Sequence, residues 1–95
     1  MRIKVKYMAA AREITGCREE IIETDDSCTL LTVLRLLSEK HGLKMRDYLF
    51  DSATGKPRPH LRFLLEDKSV STDKEFETTL TGEHTLLIVP PVSGG

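Results

Sequence analysis

Leu86-Leu87-Ile88-Val89-Pro90-Pro91-Val92-Ser93-Gly94-Gly95 turns an apolar run into a proline pair and stops at two glycines. Leu86 to Val89 have the apolar, partly β-branched character of a buried strand, which pairing with neighbours would anchor. Pro90 and Pro91 have no N–H to give to a ladder and hold φ near an extended value. The chain is therefore predicted to leave the sheet there as a stiff, projecting arm, continued by Val92 and Ser93. Gly94 and Gly95 carry no Cβ, so the end can thread a narrow channel and be gripped through its backbone, with the terminal carboxylate as the reactive handle. A frayed end that happens to finish in glycine is the plain alternative. At an average glycine usage of about 7%, a chance Gly-Gly ending arises in about 0.5% of chains, and a strand running straight into Pro-Pro narrows that further.

The body in front of this arm reads as its stand. A length of 95 residues fits one domain over residues 1–95, with residues 90–95 as the projecting tail, and leaves little room for a deep catalytic cavity. With 14 basic and 15 acidic residues the formal charge is −1, which argues against a nucleic-acid binder held by electrostatics. No apolar stretch approaches the length of a membrane span and no signal-peptide pattern opens the chain, so a cytoplasmic protein without a membrane partner is expected. Cys17 and Cys28 form no CxxC pattern and are expected to be reduced thiols.

Arg2 to Met8 alternates strictly, with Ile3, Val5 and Tyr7 on one face, which marks a half-buried strand. Ala9 to Thr15 reads as a single helical turn closed by Gly16, and Arg18 to Thr24, centred on Ile21 and Ile22, returns as an antiparallel strand. Thr29 to Gly42 is the one clear helix. Thr29 caps it, Leu30, Val33, Leu34 and Leu37 recur at helical spacing with Leu31 and Leu36 widening the stripe, and Gly42 is expected to end it in the left-handed conformation. Residues 43–59 carry a weak signal, with turn chemistry from Asp51 to Pro59 suggesting a mobile loop. His60 to Leu65 is the next strand, Glu66-Asp67-Lys68 a tight turn into Ser69-Val70, residues 71–80 show no firm period, and the last strand begins at Thr85.

Intrinsic chemistry is sparse. His41, His60 and His84 are scattered, no metal-ligand spacing occurs, and no glycine-rich loop links a strand to a helix, so neither a metal nor a nucleotide is expected on this chain. No local signature of a nucleophile with its base is present. A helix covering Ile3, Val5, Tyr7, Leu61, Phe63, Leu65, Leu86 and Ile88 would leave Met8, Leu64, Leu87 and Val89 exposed together on the opposite face. Beside a projecting tail that cluster is a candidate docking patch, unless register or loop cover hides it.

Three stretches carry a family resemblance: Ala11-Arg12-Glu13-Ile14-Thr15-Gly16, the helix Thr29 to Gly42, and Val89-Pro90-Pro91-Val92-Ser93-Gly94-Gly95. Together with the strand order they make the chain similar to the ubiquitin-like sulfur carriers, and most closely to the small subunit of molybdopterin synthase, the MoaD family. The diglycine alone is shared with ThiS, with cysteine-biosynthesis carriers and with ubiquitin-like modifiers. The resemblance implies an α+β β-grasp fold, a mixed sheet of four to five strands packed on one main helix at about residues 30–41. It also implies that the chain is a carrier rather than an enzyme. Gly95 would be adenylated by a ubiquitin-activating-type adenylyltransferase that supplies the ATP, then converted to a thiocarboxylate by a sulfur donor such as a cysteine desulfurase or rhodanese. Gly94 would give access, and Met8, Leu64, Leu87, Val89, Pro90, Pro91, Val92 and Ser93 would meet the partners, among them the large synthase subunit. Two departures stand out: the Asp51–Pro59 loop is longer than in the most compact members, and Leu65-Glu66-Asp67-Lys68 replaces an Asn-Gly type of turn. Conjugation to lysines, sulfur transfer to thiazole or cysteine synthesis, and a non-covalent binding module are the competing expectations.

Overall fold

The computed structural model describes residues 1–90; Pro91, Val92, Ser93, Gly94 and Gly95 lie outside the described residues. Along the chain run β1 (Arg2–Tyr7), α1 (Ala9–Thr15), β2 (Glu19–Glu23), β3 (Ser27–Thr29), α2 (Leu30–His41) and α3 (Leu43–Leu49). They are followed by β4 (Arg62–Leu65), β5 (Lys68–Val70), α4 (Asp73–Phe76), β6 (Thr79–Thr81) and β7 (His84–Val89).

Alternation decides the main sheet. Ile3, Val5 and Tyr7 of β1 are buried while Arg2 and Lys6 are exposed, so one face of the strand seeks a core and the other tolerates water. Five strands join in the order β2-β1-β7-β4-β5. β1 pairs with β7 in parallel, Val5 opposite Leu86 and Tyr7 opposite Ile88, and every other pairing in this sheet is antiparallel. The last strand thus lies in the middle, held on one side by β1 and on the other by β4. A second, two-stranded sheet pairs β3 with β6.

Helix α2 covers the inner face. Thr29 Oγ1 accepts from Thr32 N at 3.1 Å, which satisfies one of the free N–H groups of its first turn. Leu30, Val33, Leu34 and Leu37 are all fully buried in one cluster with Ile3, Val5, Tyr7, Phe63, Leu86 and Ile88. Each such aliphatic side chain contributes roughly 2 kcal/mol through lost apolar exposure. Leu31, Leu36 and Leu65 are partly buried against the same cluster.

Several expectations need correction. Ala9–Thr15 is a seven-residue helix, about two turns rather than one, because three consecutive alanines extend it. Gly16, at φ 77° and ψ 10°, closes it in the left-handed region, as expected. Gly42 has positive φ, but its ψ of −165° is extended rather than helical, and its carbonyl starts α3 by accepting from Arg46 N. Residues 43–49 form a helix that buries Met45 and Leu49. The stretch from Ser71 to Leu80 holds α4 and β6, where Thr72 and Glu75 form a reciprocal capping box. The expected strand from His60 starts at Arg62, and the last strand starts at His84 rather than Thr85. The Asp51–Pro59 loop is tied down rather than loose. Asp51 N donates to Lys56 O at 2.8 Å, Arg58 N donates to Leu49 O at 2.8 Å, and Lys56 Nζ pairs with Asp73 at 2.9 Å.

Candidate functional site

The root of the tail is a built feature. β7 is paired on both sides from Leu86 to Ile88 and on the β4 side alone at Val89, whose partner is Arg62, and regular pairing ends where Pro90 begins. Proline stops the ladder for the reason read from the sequence: it has no N–H to donate. Its base is therefore fixed in the middle of the sheet.

The outer face around this root combines apolar and basic positions. Leu87 lies opposite Lys6 of β1 on one side and opposite Leu64 of β4 on the other. Leu64, Leu87 and Val89 are half-buried rather than fully exposed, since each sits within a row of flanking side chains, while Met8, one residue past β1, is 38% exposed. The expected patch is thus a shallow strip with one protruding side chain. Two further apolar residues are open: Ile21 at 50% and Leu43 at 72% exposure. Sequence alone groups Ile21 with Ile22 as the apolar centre of its strand. The register separates them, placing Ile22 opposite Ile3 in the core and Ile21 opposite Lys4 on the outer face. The alternation of neighbouring β1 was the signal that could have assigned this.

Beside the root, the backbone turns sharply into α1. Ala9 has φ 49°, a left-handed value that alanine takes at a cost of about 1 kcal/mol, and Ala11 N donates to Met8 O at 3.1 Å to close the turn. This turn sets Met8 at the exit side of the sheet.

On the inner face, a polar knot lies against the same end of β1. The Tyr7 hydroxyl donates to Glu20 Oε2 at 2.6 Å, the His41 ring nitrogen Nε2 meets the same oxygen, and Lys40 Nζ pairs with Glu20 Oε1 at 2.6 Å. Tyr7 and His41 also pack edge to face with centroids 6.2 Å apart. Burial pushes the Glu20 carboxyl up, but the Lys40, Tyr7 and His41 contacts outweigh it and hold the group below the usual carboxylate range. Burial, followed by the hydrogen bond to Glu20 and then the Glu20 charge, pushes the Tyr7 hydroxyl far up, so it stays a neutral donor. Lys40 is raised by Glu20. The knot fastens the end of α2 to β1 and β2. It was invisible in sequence, because its members are brought together only by the packing of α2 on the sheet.

Among the described residues no group of three His, Cys, Asp or Glu side chains is arranged to hold a metal ion. Among the described residues no helix is long and apolar enough to cross a membrane. Cys17 and Cys28 are free thiols. His60 lies in the connection before β4, whereas His84 Nε2 meets Thr81 O at 2.9 Å. The residues expected to carry the chemistry, Gly94 and Gly95, and the contact positions Pro91, Val92 and Ser93 lie outside the described residues.

A mixed five-stranded sheet crossed by one principal helix, with its central strand ending at Pro90, is the ubiquitin-like β-grasp fold. The chain belongs to the ThiS family, whose sequence profile matches residues 5–95. It is 30% identical over 96 residues to small archaeal modifier protein 3 of Haloferax volcanii, with the full length of both chains covered. The crystal structure of SAMP1 from Haloferax volcanii superimposes with a TM-score of 0.81 at 22% identity and full coverage of both chains. A putative molybdopterin converting factor subunit 1 from Pyrococcus furiosus gives 0.75 at 21% identity, over 97% of this chain and 99% of that one. At these identities the two structures establish a shared fold, which is the β-grasp expected from the sequence.

Proposed function

We propose that the chain carries sulfur as a thiocarboxylate on Gly95 and delivers it to a precursor of the dithiolene in molybdopterin synthesis. The observation that carries this reading is the central placement of β7, with pairing up to Val89 and Pro90 immediately beyond it, in a chain of the ThiS family. A carboxylate resists nucleophiles because its charge repels them and its leaving group is poor. An adenylyltransferase of the ubiquitin-activating type removes both obstacles: the carboxylate attacks the α-phosphorus of ATP, pyrophosphate leaves, and an acyl-adenylate forms. A persulfide sulfur from a desulfurase or rhodanese then attacks the acyl carbon, AMP departs, and a second thiol cleaves the sulfur–sulfur bond to leave the thiocarboxylate. The chain supplies no catalytic group beyond its own end. Its work is to present that end, with Gly94 giving access and the stiff Pro90-Pro91 segment limiting the ordering cost of insertion into a partner such as the large synthase subunit. Met8, Leu64, Leu87 and Val89 form the surface that such partners would meet.

The test is a mass spectrum after incubation with the activating enzyme, ATP and a sulfur source. Exchange of one carboxylate oxygen for sulfur is expected, and an unchanged mass in a system that loads another carrier overturns the reading. Deletion of Gly94 and Gly95 abolishes loading but leaves the fold; binding functions that survive the deletion would instead mark a non-covalent module.

The full-length likeness to a small archaeal modifier protein favours a second reading, attachment of Gly95 to lysines of other proteins. Both begin with the same adenylate. Adducts on target lysines that withstand thiol reagents support the modifier; free thiocarboxylate consumed by a large synthase subunit supports the carrier.

A further inference from the structure

We infer that the edge of the main sheet at β2 docks an extended segment of another protein, one that carries a basic residue on each side of an apolar one and joins the five strands as a further strand. β1 separates this edge from β7 and the root of the tail, so the site is independent of the proposed function.

Hydrogen-bond parity along β2 fixes what this edge offers. Met1 N donates to Thr24 O at 3.0 Å, Thr24 N to Met1 O at 2.9 Å, and Tyr7 N to Arg18 O at 2.8 Å. Bonded and non-bonded pairs alternate in an antiparallel ladder, so in this register Ile3 with Ile22 and Val5 with Glu20 are the bonded pairs that lie between. Glu19, Ile21 and Glu23 therefore turn N–H and C=O away from β1, and these groups have no partner among the described residues. The open stretch is bounded at both ends. Cys17 N donates to Thr15 Oγ1 at 3.3 Å, and Asp25 O accepts from Thr24 Oγ1 at 3.0 Å. The opposite edge of the sheet is less available, since β5 is three residues long and Ser71 N, just beyond it, donates to Glu75 Oε1 at 3.1 Å. An unpaired row of donors and acceptors is a template for one more strand.

The side chains choose the occupant. Ile21 stands 50% exposed on the outer side between the exposed carboxylates of Glu19 and Glu23. Behind them on β1 lie Arg2, 3.6 Å from Glu23, Lys4, 3.6 Å from Glu19, and Lys6. A strand added to β2 runs about 4.8 Å from the glutamates but about 10 Å from those bases, so the nearest charges it meets are negative. Past the strand, Asp25 and Asp26 add acid at one end against the single base Arg18 at the other. Basic residues opposite Glu19 and Glu23 would set each carboxylate between cations on both sides, and an apolar residue opposite Ile21 would cover it. A second copy fits worse. Pairing β2 with its own copy about Ile21 sets Glu19 against Glu23 twice, and like charges directly opposite destabilise a pair.

The experiment follows amide shifts and hydrogen exchange of the full chain by NMR as an end-blocked peptide, Thr-Lys-Thr-Val-Thr-Lys-Thr, is added. In the free chain the Glu20 and Ile22 amides are expected to be protected and those of Glu19, Ile21 and Glu23 to exchange freely. The peptide is expected to shift these last three most and to slow their exchange about fivefold or more at saturation. Glutamate in place of both peptide lysines is expected to weaken binding about tenfold. Ile21→Pro removes an outward N–H and no ladder bond, so the chain is expected to keep its fold and lose the peptide. N-methylation of the peptide's valine and lysines removes the donors that face β2, and makes the same test without altering the chain. Absence of binding, binding without protection of the three amides, or equal binding of the N-methylated peptide overturns the inference. Equal binding of the basic and acidic peptides overturns the assigned occupant. Protection of the same amides that rises with chain concentration, without peptide, gives the edge to a second copy and overturns it as well.

Discussion

The Tyr7 hydroxyl donates to Glu20 Oε2 across 2.6 Å, linking the exit end of β1 to the strand beside it. Replacing Glu20 with alanine strands that buried hydroxyl and releases Lys40 and His41. A loss of about 2 kcal/mol is expected in chemical denaturation at neutral pH.

The same carboxylate gives a pH dependence whose sign follows from its lowered value. A group that loses its proton more readily when folded contributes stability above the unfolded carboxylate range, about 4.3, and that contribution fades as pH falls through the lower folded value. Denaturant midpoints of the parent should drop on acidification from pH 6 toward pH 3, and the drop should be shallower in Glu20→Gln. Parallel curves for the two proteins would refute the assignment.

Glu66 and Asp67 both hold positive φ, 50° and 66°, in the two-residue connection between β4 and β5. This is the geometry of a type I′ turn, in which glycine is favoured at the second position. Asp67→Gly is expected to raise stability by about 0.5 kcal/mol, net of the added freedom of the unfolded chain. Glu66 is a poorer site for the same change, because its Oε1 accepts from Thr85 N at 2.7 Å.

Two adjacent alanines in α1 should answer oppositely to glycine. At Ala10 the usual helical penalty applies and Ala10→Gly costs about 1 kcal/mol. At Ala9, with φ 49°, relief of the left-handed strain offsets that penalty, so Ala9→Gly leaves the thermal midpoint close to the parent's. Equal losses at both positions would show that the turn bearing Met8 is unstrained.

Leu87 tests the apolar strip. It is half-buried between Lys6 and Leu64, and Leu87→Lys leaves the core beneath it intact, so the stability loss should stay near 1 kcal/mol. On the proposed function, binding to an adenylyltransferase of the ubiquitin-activating type should suffer more, by about 2 kcal/mol or some thirtyfold in Kd if Leu87 sits at the centre of the contact. A titration with the purified partner separates the two effects.

The sequence revealed those elements whose pattern extends over many residues. β1 alternates through its full length, α2 repeats its leucines over three turns, and β7 meets Pro90 head-on, so each declared both its type and its buried side. The elements that escaped are short or lightly buried. α3 contributes only Met45 and Leu49 to the core and leaves Leu43 in solvent, which gives no stripe to count. α4 is four residues long and β3 three, too brief for a period, although the Thr72-to-Glu75 spacing of a capping box was there to be read. At the site, Met8, Leu64, Leu87 and Val89 followed from parity within single strands. Ile21 did not, since its side depends on how β2 aligns with β1. The Glu20 knot arises from residues far apart in the chain, and no local window contains them.

The parallel pairing of β1 with β7 joins the beginning of the chain to its end at the middle of the sheet. A polypeptide cut short before His84 would leave β1 and β4 with a gap where their shared neighbour belongs, so the globule cannot close until synthesis has passed the arm's own root. On the proposed carrier reading, maturity and readiness for loading would then coincide: a half-made copy would offer partners neither a finished face nor an end to load.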